Sequence, residues 1–256
     1  MMCDVMAPLK YLPLAPRHTA ALIRAISADR LAMYQSAASG DQDRAVALYL
    51  WDRDLAAAMF SDIAILEVAL RNALNDALTS TYGPQWYIKD IGLDDRSRAA
   101  LAAAWNAIPK AIRTQGRLVS RLMFGFWEQL LNTGGYVGKE PQAFKMNYED
   151  LWRAGLSQAF RGGRHEARAT QARFSRDWTS GVVVAVKAIR NRAAHHEPFL
   201  LGVPLPGQKD QHGNPLRLSA SEAYETYMQL GRMLDRSLAQ WLRKTSTIPD
   251  LIIARP

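Results

Sequence analysis

The sequence predicts an all-α protein, on three observations. Apolar residues recur at helical spacing, as at Val182, Val183, Val186, Ile189 and Ala193. No segment alternates apolar and polar residues for long enough to require a sheet. The breaks between periodic stretches carry glycine and proline, as at Ser39-Gly40, Tyr82-Gly83-Pro84 and Gly162-Gly163. With 256 residues the chain can bury a sizeable core, and residues 1–256 read as a single helical domain.

Residues 1–15 read as an extended lead-in, with Pro8, Pro13 and Pro16 opposing early helix. Helices follow over 17–26 and 28–38, the second capped by Ser27. Asp41 caps a helix running toward Trp51, and the sequence does not decide whether it continues through Asp52-Arg53-Asp54. Residues 55–78 read as the most buried helix, because Ile63, Ile65, Leu66, Val68, Ala69, Leu70, Ala73 and Leu74 surround its axis. This helical N-terminal part spans about 17–80.

A loop with Trp86 and Tyr87 leads to a helix over about 94–108, stopped at Pro109. The helix over 117–131 sets Phe124, Phe126 and Trp127 among Leu118, Leu122, Leu130 and Leu131, which reads as core rather than as a base-stacking surface. Residues 132–147 read as loop, and 148–160 as helix. The motif helix spans about 180–196 and is stopped by Pro198. A loop rich in turn formers covers 202–214, where His212 is incidental. The last helix, 221–242, carries Tyr224, Met228, Leu234, Leu238 and Trp241 on one face.

A net charge of +8 and a pI of 9.7 permit nucleic-acid or anionic-surface binding without proving it. The single cysteine, Cys3, excludes an internal disulfide and a cysteine-rich zinc site. The N-terminus lacks a signal pattern, and no apolar run approaches the ~20 residues of a membrane span. A cytoplasmic protein without a membrane partner is expected.

The densest chemistry lies in AVKAIRNRAAHHEPF, residues 185–199. Asn191 and His195 are four apart and share a helix face, as do Arg192 and His196. Arg190 lies five before His195, roughly 140° around the axis, within reach of a long side chain. Glu197 precedes Pro198, so the helix should end at His195 or His196. Cations at a helix C-terminus are common decoration. The same set can also clamp a phosphate and move a proton.

Metal hydrolysis would need ligand spacing. His195 and His196 are adjacent and no His-Glu-x-x-His occurs, so no metal or cofactor is expected. No G-x-S-x-G offers an acyl-transfer nucleophile. Acid–base chemistry on a phosphodiester remains. His195 would carry the proton, Arg190 would clamp the phosphate, Asn191 would orient or assist, and His196 would be either a partner or a cap of the last carbonyls.

Glu67 and Arg71, spaced i,i+4, read either as a structural ion pair or as support for the Arg190–His195 helix. Between residues 153 and 176, Arg153, Arg161, Arg164, Arg168, Arg173 and Arg176 face one acid, Glu166. That run is either a solvated face or a groove wall that tracks a phosphate backbone. Its proximity to the motif favours the wall.

The chain also resembles a family. RNRAAHHEP is similar to the R-x4-H motif of the HEPN superfamily, in the form found in Abi-like (abortive infection) proteins. LYLWDRDLAAAMFSDIAILEVALRNAL, residues 48–74, resembles the Tyr-x-Trp-Asn…Glu-Val-Ala-Leu-Arg-Asn-Ala-Leu segment of that family. FGFW, residues 124–127, resembles its Phe-Gly-Phe-Trp segment. The similarity runs from about residue 31 to 200, with Asp52 where the family has Asn and Met123 where it has Ser. The resemblance implies a multi-helix HEPN-like bundle with an N-terminal helical extension, often a homodimer, that cleaves RNA without metal. Arg190 and His195 would stand at the site. It further implies a toxin or phage-defence role, for which a cognate antitoxin would be a partner that the sequence neither names nor excludes. The alternative is a non-catalytic RNA-binding or partner-binding helical module.

Overall fold

The computed structural model describes residues 11–256. Residues 1–10 of the expected lead-in, Cys3 among them, lie outside the described residues. The described residues form twelve α-helices and two small antiparallel hairpins, so the protein is all-helical as expected.

Helix α1 (Pro16–Ile26) starts on Pro16. The expected obstacle is the first helical residue, where a missing N–H costs nothing. Helix α2 (Ala28–Ala37) is capped as expected, Ser27 Oγ accepting from Arg30 N at 3.4 Å. Asp41 caps α3 (Gln42–Tyr82), accepting from Arg44 N at 3.0 Å. This helix runs unbroken through Asp52-Arg53-Asp54. Its burial corrects the expected all-round core. Leu55, Met59, Ile63, Leu66, Leu70 and Leu74 form one buried stripe, while Phe60 and Val68 are each 40% exposed. Ala57 and Ala64 are exposed and favour helix by propensity rather than by burial.

The chain forms two compact units, and the boundary falls inside α3 and inside α9 (Arg176–Ala194). Among the described residues, the first unit comprises 11–62, 188–224 and 245–256. Here Trp51 Nε1 donates to Leu251 O at 2.6 Å, and the Arg255 guanidinium lies 5.3 Å from the Trp51 ring centre. Leu251 belongs to α12 (Ile248–Ile253), an element missing from the sequence reading. The expected loop at 202–214 is largely β3 (Val203–Lys209), paired with β4 (Pro215–Leu218). Val203 and Leu205, two apart, point inward and give this strand its buried edge. Asp210 accepts from the N–H groups of His212 and Asn214 and closes the turn, so His212 is a turn residue.

The second unit comprises residues 63–187 and 225–244. Helix α4 (Asp95–Asn106) is capped by Asp94, which accepts from Ser97 N at 2.7 Å and Gly135 N at 2.8 Å. Tyr148 OH accepts from Asp94 N and donates to Ser97 Oγ. The expected helix over 117–131 is two helices, α5 (Gln115–Arg121) and α6 (Phe124–Gln129). Extended backbone at Leu122 and Met123 lets Leu122 and Phe124 both be buried while Met123 is exposed. Phe124, Phe126 and Trp127 are core, as expected. The expected loop at 132–147 contains a hairpin of β1 (Tyr136–Val137) and β2 (Phe144–Lys145).

The helix expected over 148–160 stops early as α7 (Tyr148–Ala154) and becomes a 3₁₀ turn, Leu156–Ala159. A Cβ on Gly155 would stand 2.0 Å from Thr81 Oγ1, so the chain turns where only glycine fits. Next comes α8 (Gly163–Ala169). The last expected helix is also two, α10 (Ala220–Leu234) and α11 (Arg236–Thr245), divided where Asp235 caps the second through Leu238 N at 2.9 Å.

Candidate functional site

The site is built from the last turn of α9 outward. Arg190 is half-buried, and its guanidinium carbon lies 5.7 Å from the centre of the Phe60 ring on α3. Such a cation–π contact contributes about 0.5–1 kcal/mol at an exposed site. Arg190 Nη1 donates to Asn191 Oδ1 at 3.4 Å. The Asn191 carbonyl accepts from His195 N at 2.9 Å, which carries the helical pattern onto His195 just beyond the last helical residue, Ala194. His195 is exposed.

The helix is closed off at His196, two residues beyond Ala194, where φ is +55°. His196 N donates to Ala193 O at 3.2 Å and Glu197 N to Arg192 O at 2.9 Å. These two bonds are the paired closure of a Schellman motif. Glycine usually holds this position. A side chain there costs roughly 1 kcal/mol, less for His than for a branched residue. Both histidines thus stand at the negative end of the helix dipole, and Pro198 prevents further helix.

The turn after the motif is held by a residue that the sequence reading did not place in the site. Asp52 on α3 is buried, accepting from Tyr34 OH at 2.7 Å and from Phe199 N at 2.9 Å. Leu200 N is a further donor to it. Burial pushes the Asp52 carboxyl up, and the Tyr34 hydroxyl, the two backbone donors and the Arg192 charge pull it down without overcoming that. Desolvation therefore outweighs these donors and one arginine. The Tyr34 phenol is raised as well, by burial first and then by Asp52. Arg192 donates to the Pro198 carbonyl and pairs with Glu197 at 3.2 Å. Burial lowers its pKa against the opposing pull of Glu197. Arg30 of α2 donates to the His196 carbonyl. Side chains from three helices thus fix the backbone that carries the histidines. The signal for Asp52 was an acid directly after Trp51, where the resembling family has Asn.

Glu67 and Arg71 fall in the second unit, half-buried on α3. Arg71 Nε is buried and has no hydrogen-bond partner among the described residues.

The arginine-rich run divides. Arg153, Arg164, Arg168 and Arg173 line one cavity of about 950 Å³ together with Trp152 and Phe174. All four are exposed. Arg161 lines a different cavity, beside Gln158 and Asp235. Arg176 is buried, bonded to Glu149 at 3.2 Å, to Asp177 and to the Leu131 carbonyl at 2.8 Å. It is committed to the fold. Four of the six arginines of the expected wall thus share a surface.

Among the described residues, no three His, Cys, Asp or Glu side chains come together as metal ligands, and no helix is long and apolar enough to cross a membrane. The chain is an all-helical protein with an arginine and an exposed histidine at one helix end. It belongs, more particularly, to the Abi-like protein family, whose model matches residues 23–200. No curated protein and no solved structure matches the chain. The matched span contains Asp52, the arginine-rich run and the whole of Arg190 to Leu200. Family membership supports a role related to abortive infection.

Proposed function

We propose that this Abi-like protein is a metal-independent endoribonuclease of the HEPN type, acting as a toxin or phage-defence effector. The observation that carries the reading is the end of α9. Arg190 and exposed His195 stand on consecutive turns, Arg30 holds the His196 carbonyl, and Asp52 pins the turn that follows at Phe199. RNA carries its own nucleophile. The 2′-oxygen attacks phosphorus, its proton passes to a base, and the P–O5′ bond breaks as O5′ gains a proton. The products are a 2′,3′-cyclic phosphate and a 5′-hydroxyl. His195 carries one of these protons, and Arg190 clamps the phosphate with two parallel N–H donors. Asn191 accepts from Arg190 and sets its direction.

One chain offers a single such pair, whereas this cleavage uses both a base and an acid. A homodimer with two copies of the motif across a two-fold axis supplies both. The arginine-lined cavity favours a second reading, a non-catalytic RNA-binding module. Labelled RNA incubated with the protein in EDTA separates the two. Cyclic-phosphate products from the wild type and none from His195→Ala support the nuclease. Binding without cleavage supports the module.

A further inference from the structure

We propose that the groove beside Phe60 is a seat for one unpaired nucleobase, so that the RNA cut at Arg190 and His195 is single-stranded at the cut. This rests on the ribonuclease reading.

The groove lies wholly within the first unit, measures about 790 Å³, and reaches His196. One wall is a single face of α3, Arg53, Ala56, Ala57 and Phe60, spaced 3, 1 and 3 apart. The facing wall includes Ala193 and Ala194 at the end of α9. Alanines on both walls leave open the space that larger side chains would fill. Phe60 is 40% exposed beside the buried Leu55, Met59 and Ile63 of the same helix, and it carries the Arg190 guanidinium 5.7 Å from its ring centre.

A guanidinium that holds a phosphate while lying over an aromatic ring brings that ring within one nucleotide of the phosphate. The base attached there can stack on Phe60, a contact available to any base because each has a π-face. Tyr49, half-buried and packed edge-on against Tyr34 at 5.4 Å, lines the far part of the groove. Its hydroxyl makes no hydrogen bond among the described residues and can meet a base edge.

The groove joins an apolar floor to charges of both signs, which suits a nucleobase with apolar faces and polar edges. Arg30 and Arg53 flank the apolar floor. The acids nearby are already engaged: Asp52 by Tyr34 and Phe199, Asp54 by Arg53 at 2.6 Å, and Glu197 by Arg192. A base in a duplex cannot reach this floor, because its faces are covered by its neighbours. Unpaired RNA can turn one base out.

The test has two arms. In the binding arm, His195→Ala protein is mixed with a short RNA carrying 2-aminopurine, single-stranded or annealed to its complement. Quenching on binding to the single strand, lost in the His195→Ala/Phe60→Leu double variant, is expected. In the cleavage arm, Phe60→Leu and the groove-filling Ala57→Phe should raise KM roughly tenfold with little change in kcat, while Phe60→Trp retains activity. Circular dichroism and melting confirm that each variant folds. Equal cleavage of paired and unpaired RNA, or wild-type kinetics in both Phe60→Leu and Ala57→Phe, overturns the base seat and leaves the nuclease standing. Phe60-dependent quenching without cleavage by the wild type overturns the nuclease and keeps the seat. No quenching in any protein overturns the seat.

Discussion

Two basic regions of this protein are made in opposite ways. At the end of α9 the cationic and titratable side chains ride on backbone that is tied down. Helix-closing bonds run to Ala193 and Arg192, Asp52 accepts from Phe199, and Arg30 reaches the His196 carbonyl. Around the larger cavity of the second unit, Arg153, Arg164, Arg168 and Arg173 are exposed. There the fold buries Arg176 against Glu149 and Asp177, and Glu149 also pairs with exposed Arg153 at 3.0 Å. Bond making and breaking reward fixed geometry, whereas attraction of a polyanion needs only field. The proposed function assigns the reaction to the first region and capture of RNA to the second.

The sharpest way to break this division is to exchange its roles. His195→Ala should lower the cleavage rate by about 10²-fold or more, the usual weight of a general acid or base, without changing RNA affinity. A joint Arg164→Ala, Arg168→Ala and Arg173→Ala variant should do the reverse, holding kcat while affinity falls. Its log–log salt slope should flatten by about one unit per lost phosphate contact. If the triple variant loses kcat as steeply as His195→Ala, the cavity belongs to the reaction.

A smaller effect tests how the first region is tied. Asp52→Ala leaves the buried Phe199 N–H and the Tyr34 hydroxyl without their acceptor, which should cost about 1–3 kcal/mol in a denaturant melt. Asp52→Asn keeps one oxygen and should cost less.

The smallest effect compares two aspartates with opposite signs. Burial leaves the Asp52 carboxyl above its ordinary value, so the folded chain holds this proton more tightly than the unfolded chain. Asp52 therefore erodes stability as pH rises from 3.8 through its folded pKa. Burial also acts most strongly on Asp94 and pushes it up, but donors from Ser97, Tyr148 and Gly135 together bring it below 3.8. Asp94 contributes stability that is complete above 3.8 and is lost as pH falls through its folded pKa. Stability measured across the acid range should rise with pH more steeply in Asp52→Asn than in wild type, and less steeply in Asp94→Asn. Parallel curves in all three proteins would remove the contrast.

Local signals explain what the sequence made legible. Ser27 and Asp41 are caps with donors three residues away, and both act as caps. The apolar stripe of α9 and the stop at Pro198 placed the helix end to within a residue or two. The breaks inside expected helices were hidden. Leu122-Met123 and Gly155 interrupt periodic stretches for packing reasons that appear only when the buried partners are known. The extent of α3 was left undecided at Asp52-Arg53-Asp54, a polar run in which Asp52 is an interior acceptor. Its backbone donor Phe199 lies 147 residues later, beyond any periodicity argument. Arg176 misled for the same reason. Its partner Glu149 is 27 positions away, so in sequence it resembles its exposed neighbours.

Trp51 bears on where this protein can be divided. Its indole N–H is bonded to Leu251 and its ring is covered by Arg255, while the span shared with the Abi-like family stops at residue 200. A chain ended at that residue would expose a buried tryptophan, strip its N–H of an acceptor, and remove the β3–β4 hairpin that follows Leu200. The inherited motif and the module that folds around it therefore have different edges. Transplanting the motif into another protein would need the C-terminal helix as well.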